Sequence, residues 1–99
     1  SFDDLTLEII ISSIDENNSN EFLRKTISLL SEEELKIIEA YFSEDMSLAN
    51  TSRKLYIHKN TLQYKLNHIY EKSGLNPRRF QDAVLLYLAL RIRNPQDIS

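Results

Sequence analysis

The stretch from Leu48 to Gly74 gathers polar and cationic side chains whose chemistry suits the base edges of double-stranded DNA. A lysine can donate to guanine O6 and N7, an asparagine or glutamine can pair with adenine through two hydrogen bonds, and a tyrosine can reach a phosphate or a thymine methyl. We predict that six such residues point outward from one helix and read bases. They are His58, Lys59, Asn60, Gln63, Tyr64 and Asn67.

Cations and other polar groups in the same stretch suit the DNA backbone, because phosphate contacts position a protein without reading sequence. The predicted phosphate-binding residues are Arg53, Lys54, Thr61, Lys65, His68 and Lys72. For each member of either set, the alternative is an ordinary solvated side chain on a helix. Two alternatives are more specific, since Thr61 could be a local cap and a ring nitrogen of His58 could cap the helix that it opens.

Two short helices joined by a tight turn must position these residues, and we expect them to cross steeply over Leu48–Leu55 and His58–Ser73. In a helix-turn-helix the first helix needs a small residue where the second crosses it, and Ser52 supplies one. Leu55 and Ile57 would anchor the turn from below. The buried stripe of the second helix is predicted from helical spacing to be Leu62, Leu66 and Ile69.

The run from Leu55 to Leu66, LYIHKNTLQYKL, resembles the L-x-I-H-R-N-T-L-x-Y-R-L signature of the C-terminal DNA-binding domain of PucR/CdaR-type bacterial transcription regulators, the purine-catabolism and sugar-diacid regulators. The resemblance covers roughly residues 30–93 and includes a second block at 84–90, VLLYLAL. It implies a helix-turn-helix fold, DNA as the partner, and a small-molecule effector bound by an N-terminal sensor domain that is missing here.

This sequence departs from that signature at three positions. Lysine replaces arginine at Lys59 and Lys65, and Ser52 stands where alanine is usual. Arginine binds guanine or phosphate with two parallel hydrogen bonds, which lysine cannot form. We therefore expect the departures to affect the target site and the affinity more than the role.

The remainder of the chain is predicted to complete an all-α orthogonal bundle of five to six helices. A helix over residues 4–16 would have two apolar faces, and one of them, formed by Phe2, Leu5 and Ile9, needs a second copy or an absent domain to cover it. Alternatively, Phe2 and Leu5 precede the helix and fold back. Phe22, Leu23, Thr26, Ile27 and Leu30 are predicted to mark a second short helix.

Local signals predict where the later helices begin and end. Ser31 to Glu34 is a capping box that opens a third helix, and Ser47 would cap the first helix of the motif. Gly74 is predicted to end the second helix of the motif in the left-handed conformation. Asn76 and Pro77 are predicted to open the last helix, which is apolar on nearly every side, including at Phe80, and should form the centre of the core.

Charge is distributed unevenly along the 99 residues. Residues 1–48 hold three basic and twelve acidic residues, a net charge of −9, whereas residues 49–99 hold nine basic and three acidic residues, a net charge of +6. A molecule with a basic half can present one face to phosphates although its net charge is −3. The absence of cysteine removes disulfides and thiolate chemistry and favours a cytoplasmic protein.

No enzyme, metal or cofactor is predicted. The two histidines, His58 and His68, face different sides of one predicted helix, and no metalloprotease, P-loop, dinucleotide or nucleophile-elbow motif is present. The longest apolar run, residues 83–90, is too short to cross a bilayer, so we expect no membrane partner.

Two functions from different classes remain. In the first, residues 47–99 form a helix-turn-helix DNA-binding region of a homodimeric transcription regulator, and residues 1–46 pack against it or dimerise. In the second, the chain is a helical protein–protein interaction or dimerisation module that binds no DNA. Added salt separates them, because DNA binding weakens steeply with ionic strength and an apolar interface does not.

Overall fold

The computed structural model describes residues 19–93. Over this range the chain forms five helices and no strand, which confirms the prediction of an all-α bundle. The helices are α1, Ser19–Ser28; α2, Glu32–Ser43; α3, Leu48–Leu55; α4, Lys59–Ser73; and α5, Phe80–Arg93. The predicted helix over residues 4–16, with its apolar face of Phe2, Leu5 and Ile9, lies outside the described residues.

Helix α1 packs mainly on α5 through a stripe at helical spacing. Leu23, Thr26 and Ile27 are buried in this contact, and so is Leu30 just after the helix. Phe22, which belongs to the same predicted helix, is 57% exposed. Phe22 lies about 100° around the helix from Leu23, at the edge of the buried stripe on the side of Thr26.

Helix α2 opens with the predicted capping box. The Ser31 hydroxyl accepts a hydrogen bond from the Glu34 N–H at 3.1 Å, and a Glu34 carboxylate oxygen accepts one from the Ser31 N–H at 2.9 Å. These bonds satisfy two donors that a helix start leaves free. The inner face of α2 then buries Leu35, Ile38 and Tyr41 against α4 and α5.

The start of α5 differs from the prediction. The Asn76 side chain accepts from the Arg78 N–H at 3.0 Å, and the Asn76 carbonyl accepts from the Arg79 N–H at 3.0 Å. Asn76 and Pro77 therefore form a turn rather than the first residues of the helix, which begins at Phe80. Phe80 was expected in the core but is 62% exposed.

The core lies where α4 and α5 meet α2. Leu62, Leu66 and Ile69 of α4 are fully buried, together with Ile38 of α2 and Leu86 of α5. Burying a large aliphatic side chain stabilises a fold by about 1.5–3 kcal/mol. The orientation of α4, and with it the direction of its outer face, is thus fixed by the same packing that holds the bundle together.

Candidate nucleic-acid interface

The two helices of the predicted motif are separate elements joined by three residues, as the sequence predicted. Ser47 caps α3 by accepting a hydrogen bond from the Asn50 N–H at 3.1 Å. The chain then reverses at Tyr56, whose φ of 58° and ψ of 44° are left-handed. The Ile57 N–H donates to the Ser52 carbonyl at 3.0 Å, which closes the turn before α4 begins.

Small and apolar residues of α3 and the turn hold the two helices together. Ser52 is buried, and its hydroxyl donates to the Ala49 carbonyl at 3.0 Å within its own helix. Ser52 thus shows the burial that its predicted role requires. Leu55 and Ile57 are half-buried against the core, as expected of side chains that support the turn.

Helix α4 faces as predicted, with one exception. Its buried stripe turns the opposite surface outward, where His58, Lys59, Asn60, Tyr64 and Asn67 are exposed. Gln63 was predicted to be exposed and is half-buried instead. Its position, about 100° around the helix from buried Leu62, explains this, because that angle lies at the border of the packed face.

His58 occupies the N-cap position of α4, but its side chain makes no capping hydrogen bond. The hypothesis that a His58 ring nitrogen caps the helix is therefore wrong. The exposed imidazole instead lies beside the first turn of α4, the part of a recognition helix that enters the major groove.

Lys59 and Asn60, in that first turn, have side chains that are available to a ligand. Within residues 21–93, neither side chain makes a hydrogen bond, an ion pair or a ring contact. Thr61 is exposed as well, and its hydroxyl makes no hydrogen bond in the same range, so it caps no backbone group there. The N-terminal end of α4 thus presents a free ammonium group and a free amide.

Tyr64 and His68 form a stacked pair one turn further along α4. Their ring planes are 6° from parallel, with centroids 6.2 Å apart, and Tyr64 is 69% exposed. The Nδ1 atom of His68 lies 3.4 Å from a carboxylate oxygen of Glu71. This acidic neighbour makes His68 a weaker candidate for a phosphate than its sequence position suggested.

The lysines predicted to bind phosphate have acidic partners inside the molecule. Lys65 lies 3.0 Å from Glu33, and Lys54 lies 3.5 Å from Glu44. Each would have to exchange its carboxylate for a phosphate on binding DNA. Arg53 instead donates to the Asn50 amide oxygen, so its charge has no carboxylate partner within the described part of the chain.

Lys72 is the most strongly held of these lysines. Its ammonium group lies 2.8 Å from the same Glu34 oxygen that completes the capping box. Burial alone would raise the pKa of Glu34, but the hydrogen bonds from Lys72 and the Ser31 N–H, with the charge of Lys72, bring that pKa below its ordinary value. Lys72 therefore joins the end of α4 to the start of α2.

Two residues at this surface were absent from the sequence prediction. Tyr56 is 94% exposed although aromatic, and it lies immediately before α4 in a left-handed conformation. Arg78, in the turn after α4, donates a hydrogen bond to the Asn67 amide oxygen. Tyr56 gave no chemical signal in the sequence, whereas the adjacent cations Arg78 and Arg79 were visible but not assigned.

Neither a metal site nor a membrane span appears between residues 19 and 93. The described histidine and acidic side chains form no group of three or more that could hold a metal ion. In that same range each helix is too short or too polar to cross a membrane.

Comparison with known proteins agrees with this geometry. A model of the PucR C-terminal helix-turn-helix domain matches residues 35–92, more than half of the chain. The carbohydrate diacid regulator of Escherichia coli (strain K12) is 33% identical over 96 residues, which cover 92% of this chain and 25% of that protein. No solved structure matches.

Two similar proteins come from Bacillus subtilis (strain 168). The uncharacterized protein YsfB is 33% identical over 90 residues, covering 89% of this chain and 24% of YsfB. The proline-responsive transcriptional activator PutR is 30% identical over 90 residues, covering 83% of this chain and 22% of PutR. The chain spans about a quarter of the length of these relatives. It belongs to the family of PucR C-terminal helix-turn-helix domains, which are DNA-binding parts of transcription regulators.

Proposed function

We propose that this chain binds double-stranded DNA sequence-specifically, with α4 as the recognition helix in the major groove. The observation that carries the proposal is the first turn of α4, where exposed Lys59 and Asn60 have no partner within residues 21–93. Because the opposite face of α4 is fixed in the core, these groups are held in place before DNA arrives. Lys59 would donate to guanine, and Asn60 would pair with adenine.

The rest of the exposed surface supplies contacts around this centre. Tyr64 and Gln63 follow one turn later on the outer side of α4, within reach of neighbouring bases or a thymine methyl. Arg53 lies at the end of α3, the helix that crosses the DNA backbone in this motif, and is the best placed of the predicted phosphate ligands. Lys54, Thr61, Lys65 and His68 are secondary candidates.

Control by a small molecule is the second part of the proposal. The chain spans about a quarter of its relatives, and two of them are named for a carbohydrate diacid and for proline. Those names support a regulator in which an effector binds a separate sensor domain. Such a regulator acts on the chromosome, so we place the protein in the bacterial cytoplasm and assign it no enzymatic activity.

Selection from random-sequence duplexes tests the central claim. The chain should enrich one sequence and bind it more tightly than a scrambled duplex of equal length, with an affinity that falls steeply as salt is raised. A chain that enriches no sequence is not a sequence-specific binder. Salt-independent association with a protein, in place of DNA, would favour the alternative of a helical interaction module.

We further propose that two copies bind together, because one helix-turn-helix contacts only a few base pairs. A symmetric dimer reads half-sites 34–36 Å apart, or a multiple of that distance. In this proposal residues 1–46 contribute the joining surface through Phe2, Leu5 and Ile9, and residues 47–99 contact DNA. Changing Leu5 and Ile9 to glutamate should preserve helix content and lower affinity for a palindromic site.

The mass of the complex, measured by analytical ultracentrifugation, checks this proposal. A matched variant with Leu29→Glu also replaces an exposed apolar residue, in the part of the chain that the structure describes, and should leave the mass unchanged. If the Leu5 and Ile9 variant keeps both mass and affinity, the joining surface lies elsewhere.

A further inference from the structure

Asn67 and Arg78 form a contact between α4 and the turn that follows it. The Arg78 guanidinium donates a hydrogen bond to the Asn67 amide oxygen, although the two residues are eleven positions apart. Both side chains are exposed. Arg79 comes next in the chain, is also exposed, and has no side-chain partner within residues 21–93.

The chemistry of arginine fixes which groups this pair presents. A guanidinium has only donors, so the atom of Asn67 that faces it must be the amide oxygen. The Asn67 side chain then keeps two free N–H donors. Reading adenine with two hydrogen bonds requires both the oxygen and the nitrogen of an asparagine amide, and here Arg78 already uses one of the two lone pairs of that oxygen, which disfavours this pairing. The pair therefore presents donors and positive charge.

We infer that Asn67 and Arg78, supported by Arg79, form a binding site for a DNA phosphate, and that Asn67 does not read a base. This inference rests on the proposed function. Phosphate oxygens accept from amide, guanidinium and backbone donors and carry the negative charge that such a site favours. The carboxylate nearest to the arginines in sequence, Asp82, is half-buried and accepts from the Asn76 N–H at 3.0 Å.

The place of Asn67 along α4 agrees with this role. Asn60 and Asn67 lie on the same side of the helix, about 10 Å apart along its axis. Residues at the start of a recognition helix contact base edges, and the major groove is only about 12 Å wide. A side chain that far from the first turn is within reach of a groove wall, where the phosphates lie.

The salt dependence of binding to a random-sequence duplex and to the selected duplex tests the site. Arg78→Gln and Arg79→Gln should each reduce the slope of log K against log salt by about one, and should weaken both duplexes by the same factor. Arg24→Gln, which removes an exposed cation from α1, is the matched control and should leave the slope unchanged.

Asn67→Asp separates phosphate binding from folding. Aspartate retains an oxygen for Arg78 but replaces the free N–H donors with a negatively charged oxygen, so it should weaken both duplexes alike while thermal unfolding stays close to that of the unaltered chain. If Arg78→Gln disturbs the turn in the same melting experiment, Arg79→Gln still reports on the site, because within residues 21–93 the Arg79 side chain makes no hydrogen bond or ion pair for the substitution to break.

The possible results are distinct. The inference is overturned if Asn67→Asp changes preference at one base pair while both arginine variants keep the full slope; the proposed function then still stands, because the selected duplex is still preferred. If the unaltered chain binds neither duplex at low salt, both the proposed function and the inference fail.

Discussion

Lys59 and Lys65 are six residues apart on α4 and have different surroundings. Lys59 is exposed and unpaired within residues 21–93, whereas Lys65 is half-buried beside Glu33. A base contact is easier to form for a donor that does not first have to give up an ion pair. At the scale of single residues, the presence or absence of an acidic partner therefore distinguishes a reader from a supporting cation.

The first prediction concerns Lys59. Lys59→Ala should relax preference at one position of the selected DNA site, by roughly 1–3 kcal/mol for a true base contact. Titrations on the selected duplex and on its single-base variants measure this. Lys36→Ala, which removes an exposed lysine of α2 that has no partner among the described residues, serves as the control and should leave base preference intact. Equal losses on every duplex would make Lys59 a phosphate ligand.

The second prediction uses the lowered pKa of Glu34. A carboxylate whose pKa is lower in the folded state stabilises the fold above its unfolded pKa, and this stability is lost as the pH falls through the folded value. Glu34→Gln should keep the capping box, because glutamine also fits that position, and should lose the charge-assisted bond to Lys72. We expect a loss of about 1–2 kcal/mol at pH 7.

Urea unfolding of the unaltered chain and of Glu34→Gln, at pH 7 and at pH 3, measures the difference in their free energies of unfolding. The difference should be smaller at pH 3, below the ordinary glutamate pKa of about 4.3, because the unfolded chain then takes up a proton more readily than the native carboxylate does. Glu33→Gln removes a more exposed ion pair and should cost less than about 1 kcal/mol at pH 7. A difference for Glu34→Gln that is independent of pH would show that packing, and not charge, stabilises the contact.

At the scale of elements, the turn between α3 and α4 combines strain with exposure. Tyr56 adopts a left-handed conformation that costs a residue with a Cβ about 1–2 kcal/mol, and its side chain is almost fully exposed. Packing of the ring within the described residues therefore does not offset the strain. Strained residues tend to occur where a protein binds or acts, so Tyr56 is a candidate for DNA contact.

The third prediction is that Tyr56→Gly stabilises the free protein by about 0.5–1 kcal/mol, since glycine adopts this conformation without strain. The same substitution at Tyr70, inside α4, should destabilise by about 1 kcal/mol. Thermal unfolding of both variants shows whether each substitution raises or lowers the stability of the protein. If Tyr56→Gly is more stable but binds the selected duplex more weakly, the ring contributes to DNA binding; a loss of stability would mean that the turn is not strained.

Local sequence signals predicted most helix boundaries. They did not predict the turn at Asn76 or the contact between Lys72 and Glu34. Ser31, Ser47 and Gly74 end or begin helices as expected, because each acts on backbone groups a few residues away. The Asn76 turn was missed although its contacts are local, because an asparagine before proline can either cap a helix or form a turn with the next residues, as Asn76 does with Arg78 and Arg79. The Lys72 contact with Glu34, 38 residues away, depends on how two helices pack and had no local signal.

At the scale of the whole molecule, the basic half seen in the sequence is partly neutralised by the fold. Arg93, Lys65 and Lys72 pair with Glu32, Glu33 and Glu34, the three consecutive acids that open α2. Among the exposed cations of residues 49–93, those without an acidic partner in the described residues lie at the start of α4, the end of α3 and the turn before α5. The surface that meets phosphate is thus smaller than the sequence charge suggests.

The fourth prediction tests this neutralisation through Glu33. Glu33→Gln releases Lys65, so the slope of log K against log salt for a random-sequence duplex should steepen by about one, with tighter binding at low salt. Glu39→Gln removes the same charge from an exposed position on α2 that makes no ion pair in the described range. Its change in net charge is identical, but it releases no lysine, and the slope should stay constant. If both variants tighten binding equally with unchanged slopes, the acids act through the overall field of the molecule, and Lys65 does not reach a phosphate even when its partner is removed.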